Sequence, residues 1–511
     1  MMLGVLVDRF GGVVHGERGR DADLLGVCLD SRKITENDLY VAIPGVSTDG
    51  ALFADDALER GARAVLAPRS SAQLDAVIAR RGAALWLHPD ARSLAGRVAA
   101  ELHGSPSREM FVVAVTGTNG KTTTAALIHD LLTSCGKNSG VLGTVGNRLA
   151  DGRTIDATHT TPDGPSLQVL LARHRDMGGD AIALEVSSHA LDQERIAGLE
   201  TDVAVFTNLG RDHLDYHGSM DHYAEAKARL FAALDQNSTA VINADDPHHK
   251  VMVEAAAKQD ARIITYGIAH VADLSASRLV TDLEGTHLTL RGMGFYGVEL
   301  RLPLLGRYNV ENALAATAAV LMSGASPSAI VEGLATVSSP PGRLERVGAP
   351  DRRADRPAVF VDYAHTPDAL ERVLDVLREV VPTGGRLFVV FGCGGDRDRG
   401  KRPMMGRAAA KRADRVIITS DNPRGEDPLS ICEEVAEGAS QYGQHKGESD
   451  ARAEISVEVD RRAAIRTALL EARPGDVVLI AGKGHEATQT IGDEARPFDD
   501  RIVAIEELGA H

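Results

Sequence analysis

The segment Val-Thr-Gly-Thr-Asn-Gly-Lys-Thr-Thr-Thr, residues 115–124, has the residue types of a loop that binds the phosphates of a nucleotide. Two glycines, Gly117 and Gly120, allow the backbone to turn sharply and to direct its amides at an anion. Lys121 supplies a cation for the outer phosphates, and the hydroxyl of Thr122 is a suitable ligand for Mg²⁺. An apolar run precedes the segment and an amphipathic run follows it. The pattern therefore predicts a strand, a phosphate-binding loop and a helix whose amino end adds further N–H groups.

The match to the general phosphate-binding pattern is incomplete. That pattern has a glycine five residues before Gly120, and this chain has Val115 there. An ordinary strand-to-helix turn that contains glycine therefore remains the alternative. The strand, both glycines, the lysine and three consecutive threonines favour phosphate binding. The loop by itself does not indicate which reaction the nucleotide serves.

Further candidate residues follow apolar runs elsewhere in the chain. Glu185 ends the run Ile-Ala-Leu-Glu, where its carboxylate could reach a cation held by the loop, since Mg²⁺ prefers oxygen ligands. His213 lies in Arg-Asp-His-Leu-Asp, and Lys227 lies in a helical pattern. Taken alone, each has an ordinary alternative: a strand-end carboxylate in water, a loop histidine and a solvated helix lysine.

The elements that position these residues are predicted to form α/β domains. Apolar β-type runs alternate with helical patterns, which is typical of parallel sheets with crossover helices. Ligands of such sheets bind at the carboxyl ends of the strands, where the candidate motifs begin. Residues 275–305 alternate apolar and polar side chains and predict a small antiparallel patch. Two loop-like stretches rich in Pro and Gly predict three domains, with boundaries at residues 1–106, 107–343 and 344–511. We expect a smaller α/β domain, a central P-loop-type parallel-sheet ATPase domain and a Rossmann-like carboxyl-terminal domain.

The composition limits the classes of function. The 511 residues are 43% hydrophobic and 25% charged, which is typical of a globular protein of about three domains. A formal net charge of −16 argues against nucleic-acid binding, so an anionic substrate would need local clusters of Arg and Lys. The four cysteines lack metal-ligand or disulfide spacing, and no run approaches the ~18 apolar residues of a membrane span. The first apolar run is too short for a signal peptide, so we expect a cytoplasmic protein.

Six segments, in order along the chain, resemble the motifs of the Mur ligases. More narrowly, they resemble the branch that adds the third amino acid to the peptidoglycan stem peptide. The segments are Thr-Gly-Thr-Asn-Gly-Lys-Thr-Thr from residue 116, Glu-Val-Ser-Ser-His from 185, Asn-Leu-Gly-Arg-Asp-His-Leu-Asp-Tyr-His-Gly from 208, Gly-Arg-Tyr-Asn-Val-Glu-Asn from 306, Asp-Tyr-Ala-His-Thr-Pro from 362 and Asp-Asn-Pro-Arg from 421. Mur ligases use ATP to convert a substrate carboxylate into an acyl phosphate, which the incoming amine attacks with release of ADP and phosphate. The resemblance implies this activity.

The resemblance also implies roles for the central residues. Lys121 and Thr122 would hold the phosphates, while Glu185 and His213 would ligate magnesium. Lys227 matches a lysine that the family carries as a carbamate (N6-carboxylysine) made with CO₂, and a carbamate is an oxygen ligand that a second Mg²⁺ could use. The catalytic set is thus Lys121, Lys227, Glu185 and His213, and the metal ligands are Thr122, Glu185, His213 and Lys227. The ATP-binding set is Gly117, Thr118, Asn119, Gly120, Lys121, Thr122, Thr123, Asn309, Asn312, Arg343 and Asp362.

The first implied substrate is a UDP-muramoyl dipeptide. Its uridine end would lie against the amino-terminal domain, and its dipeptide against the central domain. The residues at matching positions are Leu29, Ser31, Ser47 and Thr48 for the uridine end, and Thr160, Thr161, Ser187, Gln193 and Arg195 for the dipeptide. His159 stands where many relatives have asparagine.

The segment from residue 421 implies which amino acid is added. meso-Diaminopimelate carries one more carboxylate than L-lysine, and a fixed guanidinium can bind that carboxylate through two hydrogen bonds. Arg424 matches the arginine that lysine-adding relatives lack. The implied pocket consists of Arg397, Asp421, Asn422, Pro423, Arg424, Gly482 and Glu486.

We therefore expect a monomeric ligase that joins meso-diaminopimelate to UDP-MurNAc-L-Ala-D-Glu with ATP, two Mg²⁺ ions and a carbamate on Lys227. The first alternative is another ligase of the superfamily, such as an L-lysine-adding member or a folylpolyglutamate synthase. Arg424 argues against the lysine-adding enzyme, and Leu-Asp-Ser-Arg from residue 29 argues against the folate enzyme. The alternative from another class is a regulatory P-loop NTPase that forms no amide bond.

Overall fold

A computed structural model describes residues 1–16, 19–45, 48–348, 356–445 and 453–509. The chain divides into two compact units. The first comprises Met1–Ala276, Leu290–Tyr296 and Glu311–Gly333, and the second comprises Ser277–Thr289, Gly297–Val310 and Leu334–His511. Within the described ranges, no helix is long and apolar enough to cross a membrane.

The first unit begins with a five-stranded sheet. Its strands are β1 (Val13–His15), β2 (Gly26–Cys28), β3 (Asp38–Val41), β4 (Ala64–Ala67) and β5 (Ala84–Leu87), and its helices are α1 (Leu3–Phe10), α2 (Ala54–Glu59), α3 (Ala72–Arg81) and α4 (Ala91–Leu102). The strand order is β1-β5-β4-β3-β2, with β1 antiparallel and the others parallel. Alternate residues of β3 enter different apolar clusters, Leu39 and Val41 on one face and Tyr40 on the other, so both faces are buried.

The phosphate-binding loop follows a strand of a second, larger sheet of the same unit. Its strands are β6 (Phe111–Thr116), β7 (Ser139–Gly143), β8 (Gly146–Arg148), β9 (Thr154–Ile155), β10 (Ala181–Glu185), β11 (Val203–Phe206), β12 (Thr239–Asn243) and β13 (Arg262–Gly267). Strands β13-β12-β11-β6-β10-β7 are parallel in that order, and β8 and β9 add an antiparallel edge. The helices are α5 (Lys121–Ser134), α6 (Gly164–Asp176), α7 (Ser188–Asp192), α8 (Leu214–His217), α9 (Met220–Ala232) and α10 (His249–Ala257).

Three longer strands follow, and parts of them belong to each unit: β14 (Leu274–Asp282), β15 (Gly285–Gly292) and β16 (Phe295–Leu302). They are neighbours in the order β16-β15-β14 and are joined by two-residue connections, which only antiparallel strands permit. The predicted antiparallel patch over residues 275–305 is therefore present. The helices α11 (Arg307–Leu321) and α12 (Pro327–Leu334) come next.

The carboxyl-terminal part of the second unit contains a six-stranded sheet and a hairpin. The strands are β17 (Glu345–Val347), β18 (Ala358–Asp362), β19 (Leu387–Phe391), β20 (Arg415–Ile418), β21 (Glu454–Val457), β22 (Val477–Ala481) and the hairpin β23 (Thr488–Ile491) and β24 (Glu494–Pro497). The sheet order is β17-β18-β22-β19-β20-β21, with β17 antiparallel. The helices are α13 (Pro367–Val380), α14 (Lys401–Arg412), α15 (Pro428–His445), α16 (Arg461–Glu471) and α17 (Asp500–Gly509).

The predicted relation between strands and motifs is confirmed. Strand β10 ends at Glu185, and β6 ends at Thr116, directly before the first glycine of the phosphate-binding loop, Gly117. In the last sheet, β20 ends three residues before Asp421, and β22 ends directly before Gly482. The predicted mixed α/β class with parallel sheets is likewise confirmed.

Candidate active site

The phosphate-binding loop is held by the segment that follows β11. The amide of Thr118 donates to Asn208 O at 2.8 Å, and the amide of Asn119 donates to Asn208 Oδ1 at 3.0 Å. A Cβ atom at Gly117 would overlap Thr207 Oγ1, and one at Gly120, where φ is +84°, would collide with a neighbouring side chain. The loop therefore needs glycine at both predicted positions.

The side chain of Lys121 lies over this loop. Its Nζ donates to Gly117 O at 2.8 Å and to Thr118 O at 2.9 Å. Lys121 is also the first residue of α5, so its charge lies beside the helix N–H groups that have no partner within the helix. A cation and free amides at one strand-to-helix junction form a site suited to phosphate.

Glu185 and Thr122 come together at the ends of the neighbouring parallel strands β10 and β6. Thr122 Oγ1 donates to Glu185 Oε2 at 3.0 Å. The other carboxylate oxygen accepts from the Thr144 amide at 2.8 Å, and the Thr144 hydroxyl lies 3.1 Å from both Glu185 Oε2 and Thr160 Oγ1. Sequence reasoning missed Thr144, although it follows strand β7 as the other site residues follow theirs.

Lys227 is buried beside the same loop. Its Nζ donates to Gly117 O at 2.9 Å and lies 4.4 Å from the ring centre of Tyr223, whose hydroxyl is 3.1 Å from Thr118 Oγ1. Burial lowers the pKa of Lys227 well below its usual value, and the charge of Lys121 lowers it further. The two lysines thus share one carbonyl acceptor, and burial of Lys227 favours its neutral amine over its ammonium form.

His213 is half-exposed and belongs to a cluster of rings. Its ring lies 4.8 Å from that of His189 and 6.2 Å from that of Tyr223, and its backbone is left-handed at φ +52°. In the described part of the chain, no three His, Cys, Asp or Glu side chains are grouped closely enough to hold a metal. The predicted ligands are instead a hydroxyl, a carboxylate, an imidazole and Lys227.

Four of the predicted dipeptide-binding residues form one hydrogen-bond network. Thr161 Oγ1 donates to Glu185 O at 2.9 Å and accepts from the Ser187 amide at 3.1 Å. The guanidinium of Arg195 donates to Thr161 O at 3.0 Å and to Gln193 Oε1 at 2.8 Å. The network links this arginine, through Thr161, to the backbone carbonyl of Glu185.

A pocket of about 150 Å³ joins predicted uridine and dipeptide residues. It lies within the first unit, and its lining is Leu29, Arg92, Ala95, His159, Asp163, Gly164, Pro165, Gln193, Glu194 and Arg195. Of the other predicted uridine residues, Ser31 is buried, Thr48 is exposed, and Ser47 lies outside the described residues. Arg92 was not predicted, because a single arginine at the start of a helix carries no motif.

The residues predicted to bind the amino acid lie at the carboxyl ends of β20 and β22. Asn422 Nδ2 donates to Glu486 Oε2 at 2.9 Å, while Asn422 Oδ1 accepts from Lys483 Nζ at 3.1 Å and from the Thr490 amide at 2.9 Å. Lys483 is fully buried and was missed by sequence reasoning. Gly482 lies against the carboxylate of Asp421.

Arg424 has an unusual backbone conformation that hydrogen bonds hold in place. Its backbone is left-handed at φ +50°, its amide donates to Thr490 O at 3.1 Å, and its carbonyl accepts from the Gly492 amide at 2.7 Å. Its Nη1 donates to Gly395 O at 2.8 Å. Arg397, by contrast, is exposed on the loop after β19.

The predicted adenosine residues occupy several environments. Asp362 is buried and accepts from the amides of Leu344 at 2.6 Å and Ala364 at 2.7 Å, and burial raises the pKa of its carboxyl group. The guanidinium of Arg343 stacks 4.8 Å from the ring centre of Tyr363. Asn309 Nδ2 donates to Leu305 O at 2.9 Å, and in the first unit Asn312 Oδ1 accepts from Thr124 Oγ1 at 3.2 Å.

Three family descriptions match successive parts of the chain. "Mur ligase family, catalytic domain" matches residues 24–87, "Mur ligase middle domain" matches residues 115–320, and "Mur ligase, glutamate ligase domain" matches residues 342–484.

The chain is also similar, over almost its whole length, to proteins named UDP-N-acetylmuramoyl-L-alanyl-D-glutamate–2,6-diaminopimelate ligase. The relative from Chromobacterium violaceum is 44% identical, with 94% of this chain and 93% of that protein covered. The relative from Geobacillus thermodenitrificans is 42% identical, with 99% and 98% covered. A solved structure of a ligase of that name is 36% identical, covers 95% of each chain and superimposes with a TM-score of 0.69. The MurF ligase of Thermotoga maritima, solved in complex with ADP, is 19% identical over 95% of this chain and 96% of its own, and shares the fold with a TM-score of 0.59. These matches show that the chain belongs to the Mur ligase family of ATP-dependent, ADP-forming amide ligases.

Proposed function

We propose that this chain uses ATP to join meso-2,6-diaminopimelate to UDP-MurNAc-L-Ala-D-Glu in peptidoglycan precursor synthesis. The proposal is carried by the 42–44% identity, over at least 94% of the chain, to ligases named for these substrates. A carboxylate oxygen of the D-glutamyl residue attacks the γ-phosphorus of ATP, and ADP leaves. The amine of diaminopimelate then attacks the acyl carbon, phosphate leaves, and the nitrogen loses a proton.

The phosphate-binding loop supports ATP as the phosphoryl donor. The Nζ of Lys121 donates to two loop carbonyls, and in the complex with ATP the phosphate oxygens would replace these carbonyls as its acceptors. The amides of Thr118 and Asn119 donate to Asn208 and would hold the shape of the loop. The amides at the start of α5, such as that of Thr123, are proposed to bind the same oxygens. The adenosine contacts stay a proposal from family resemblance, with Asn309, Asn312, Arg343 and Asp362 as the residues.

The residues beside the loop fit magnesium. Thr122 and Glu185 place a hydroxyl and a carboxylate 3.0 Å apart, and both are the hard oxygen donors that Mg²⁺ selects. We propose that these two residues, His213 and carboxylated Lys227 hold two Mg²⁺ ions. Bound there, the ions would supply positive charge against the phosphates and the attacking carboxylate. The chain's own part is to hold the donors in place, as the Thr144 contacts do for Glu185.

The environment of Lys227 fits a carbamate. A neutral amine adds CO₂ and loses one proton, and burial next to Lys121 favours the neutral amine. Its Nζ donates to a carbonyl and lies over an aromatic ring, and among the described residues it forms no ion pair within 4.0 Å. The charge of Asp212 opposes the lowering of its pKa, but burial is the largest cause. The carbamate would place a negative charge beside Lys121, where the unmodified lysine would place a positive one.

The pocket that contains Leu29, Gln193 and Arg195 is proposed to bind the UDP-muramoyl dipeptide. Two guanidinium groups, those of Arg92 and Arg195, line it together with two acidic residues, and the guanidinium groups are proposed to bind the anionic groups of the substrate. The five-, eleven- and six-stranded sheets each fall within one of the proposed domains at 1–106, 107–343 and 344–511, which supports that division. We propose that the protein acts as a cytoplasmic monomer.

Diaminopimelate is proposed as the amino acid because of Arg424. The distal carboxylate of diaminopimelate would bind its guanidinium, and Asp421 and Glu486 would bind the distal ammonium group. The side chain of Asn422 is already engaged with Lys483, Glu486 and Thr490, so it would act mainly by orienting Glu486.

An amino-acid panel tests the function. ADP release is measured with ATP, Mg²⁺ and UDP-MurNAc-L-Ala-D-Glu, in the presence of meso-diaminopimelate, L-lysine or L-ornithine and with each substrate omitted in turn. We expect release only with the complete mixture and a strong preference for meso-diaminopimelate. ADP release without the amino acid would indicate a regulatory NTPase, and preference for lysine would indicate the other branch of the family.

A further inference from the structure

Residues proposed to bind the amino acid lie in loops after β19, β20 and β22 of the second unit. The loops after β19 and β20 are joined directly. The Gly395 amide donates to Asn422 O at 2.9 Å, and Arg424 Nη1 donates back to Gly395 O at 2.8 Å. The Gly425 amide donates to Asp396 Oδ2 at 2.9 Å. The position of the Arg424 guanidinium therefore depends on where the first loop lies.

The carboxylate of Glu426 holds the two loops together. Its Oε1 accepts from the Asp396 amide at 2.6 Å and from Arg402 Nη2 at 2.8 Å. Its Oε2 accepts from Arg402 Nη1 at 3.1 Å and from Arg399 Nη2 at 2.7 Å. A carboxylate has about four acceptor sites, so these four bonds leave Glu426 no capacity to bind a substrate directly. Hydrogen bonds from Arg402 and from the Asp396 amide lower the pKa of Glu426 to about 2, which keeps it anionic at neutral pH.

Arg402 stands in a place that is unfavourable for an unpaired cation. Its side chain is fully buried, and it lies in the first turn of α14, where the helix dipole disfavours positive charge. Glu426 and Glu434 compensate for this, since Glu434 Oε2 accepts from Arg402 Nη1 at 3.0 Å. Glu434 is partly exposed and lies on α15, outside both loops. Among the described residues, Glu426 links the buried cation to both substrate loops through its hydrogen bonds at 2.8 and 3.1 Å, and Arg402 Nη2 also makes a longer contact with Gly394 O at 3.5 Å.

We propose that the Arg402–Glu426 pair positions the Arg424 guanidinium for the distal carboxylate of diaminopimelate and so sets the preference for this amino acid over lysine. The inference rests on the proposed function. Glu426 accepts a hydrogen bond from the Asp396 amide. The Gly395 carbonyl belongs to the same peptide group and accepts from Arg424 Nη1, so the two contacts are coupled. Arg402 and Glu426 touch no substrate in this scheme and are positioning residues.

The experiment compares Glu426→Gln with Glu434→Gln. The first variant removes the charge that holds the loops, while the second removes a charge from the same arginine without touching a loop. We expect Glu426→Gln to raise KM for diaminopimelate about tenfold and to lower the preference over lysine similarly, with KM for ATP changed less than about twofold. Glu434→Gln should keep the parent values. Arg402→Lys, which keeps the charge but loses the two-pronged contact, should change the preference in the same direction as Glu426→Gln.

A second measurement does not depend on the reaction. Hydrogen–deuterium exchange of the substrate-free full chain should be faster over residues 394–399 in Glu426→Gln than in the parent or in Glu434→Gln. If the parent forms no ADP in response to diaminopimelate, the proposed function fails, and the exchange result alone then decides whether the pair holds the loop. Unchanged exchange in Glu426→Gln would overturn the proposal, as would an unchanged preference for diaminopimelate in an active variant.

Discussion

Replacing Arg424 with alanine should remove the selectivity for diaminopimelate. In the described structure, Arg424 Nη1 donates a hydrogen bond to Gly395 O at 2.8 Å, whereas its Nε and Nη2 form no hydrogen bond with the described residues. These two groups point from the same edge of the guanidinium and match the two oxygens of a carboxylate. The backbone contacts with Thr490 and Gly492 do not involve the side chain, so the loop should keep its path in the variant.

The size of the effect follows from those two donors. A hydrogen bond to a charged group contributes about 1.5–3 kcal/mol, so two of them contribute roughly 3–6 kcal/mol. Arg424 is partly exposed, and solvent reduces this contribution toward its lower end. Since about 1.4 kcal/mol corresponds to a factor of ten, kcat/KM for diaminopimelate should fall roughly 10²–10³-fold. Lysine has no distal carboxylate, so kcat/KM for lysine should stay within roughly threefold of the parent value.

The assay measures initial rates of ADP release with diaminopimelate and with lysine, at saturating ATP and UDP-MurNAc-L-Ala-D-Glu. Arg496→Ala serves as the matched control, because Arg496 is an exposed arginine of the same unit that pairs with Glu494 on β24. KM for ATP should be unchanged in both variants. A variant Arg424→Ala that still prefers diaminopimelate as strongly as the parent would refute the assignment of this pocket.

Three further changes test the centre around the phosphate-binding loop. If Lys227 is carboxylated, the native chain should exceed its sequence mass by one CO₂, lose activity when CO₂ is removed and regain it with bicarbonate, whereas Lys227→Ala should show none of this dependence. Glu185→Gln should raise the Mg²⁺ concentration for half-maximal ADP release by about tenfold or more, and an unchanged Mg²⁺ titration would remove Glu185 from the metal site. Gly117→Ala should weaken ATP binding and destabilise the chain by about 1–3 kcal/mol, because its Cβ would overlap Thr207 Oγ1. Adding Thr207→Ala should restore part of the loss in thermal unfolding, and no restoration would show that the overlap is not the cause.

The sequence was sufficient for the local parts of the structure. The β-branched run before Gly117 and the helical spacing after Lys121 predicted β6 and α5, because both elements are buried against neighbours that demand that periodicity. The strand ends then predicted which polar residues share an edge, and Glu185 and Thr122 do lie 3.0 Å apart. Parallel pairing of β6 with β10 is what converts two distant segments into one site.

Contacts that depend on packing could not be predicted in this way. Thr144 and Arg92 carry no motif, and Lys483 lies between two predicted residues without a predicted role of its own. Each contacts a partner at least forty residues away in the chain. The link from Arg402 to Glu426 is of the same kind, since it needs β19 and β20 to lie side by side before their loops can meet. Sequence spacing reports the faces of single elements, whereas such pairs are set by the order of strands in a sheet.

The phosphate-binding loop and Lys227 are coupled through one shared hydrogen-bond acceptor, Gly117 O. Lys121 and Lys227 both reach this oxygen, at 2.8 and 2.9 Å, so two full positive charges would lie on one carbonyl in a buried site. Burial of Lys227 disfavours its cationic form most strongly, and Coulomb repulsion from Lys121 adds to this, while the charge of Asp212 acts in the opposite direction. Loss of the proton from Lys227 relieves the repulsion and at the same time produces the amine that CO₂ requires. Carboxylation would then convert the residue that the fold cannot keep as a cation into an oxygen ligand beside Lys121. In the proposed function, the same burial that makes a charged Lys227 unfavourable would therefore favour the form that can ligate magnesium.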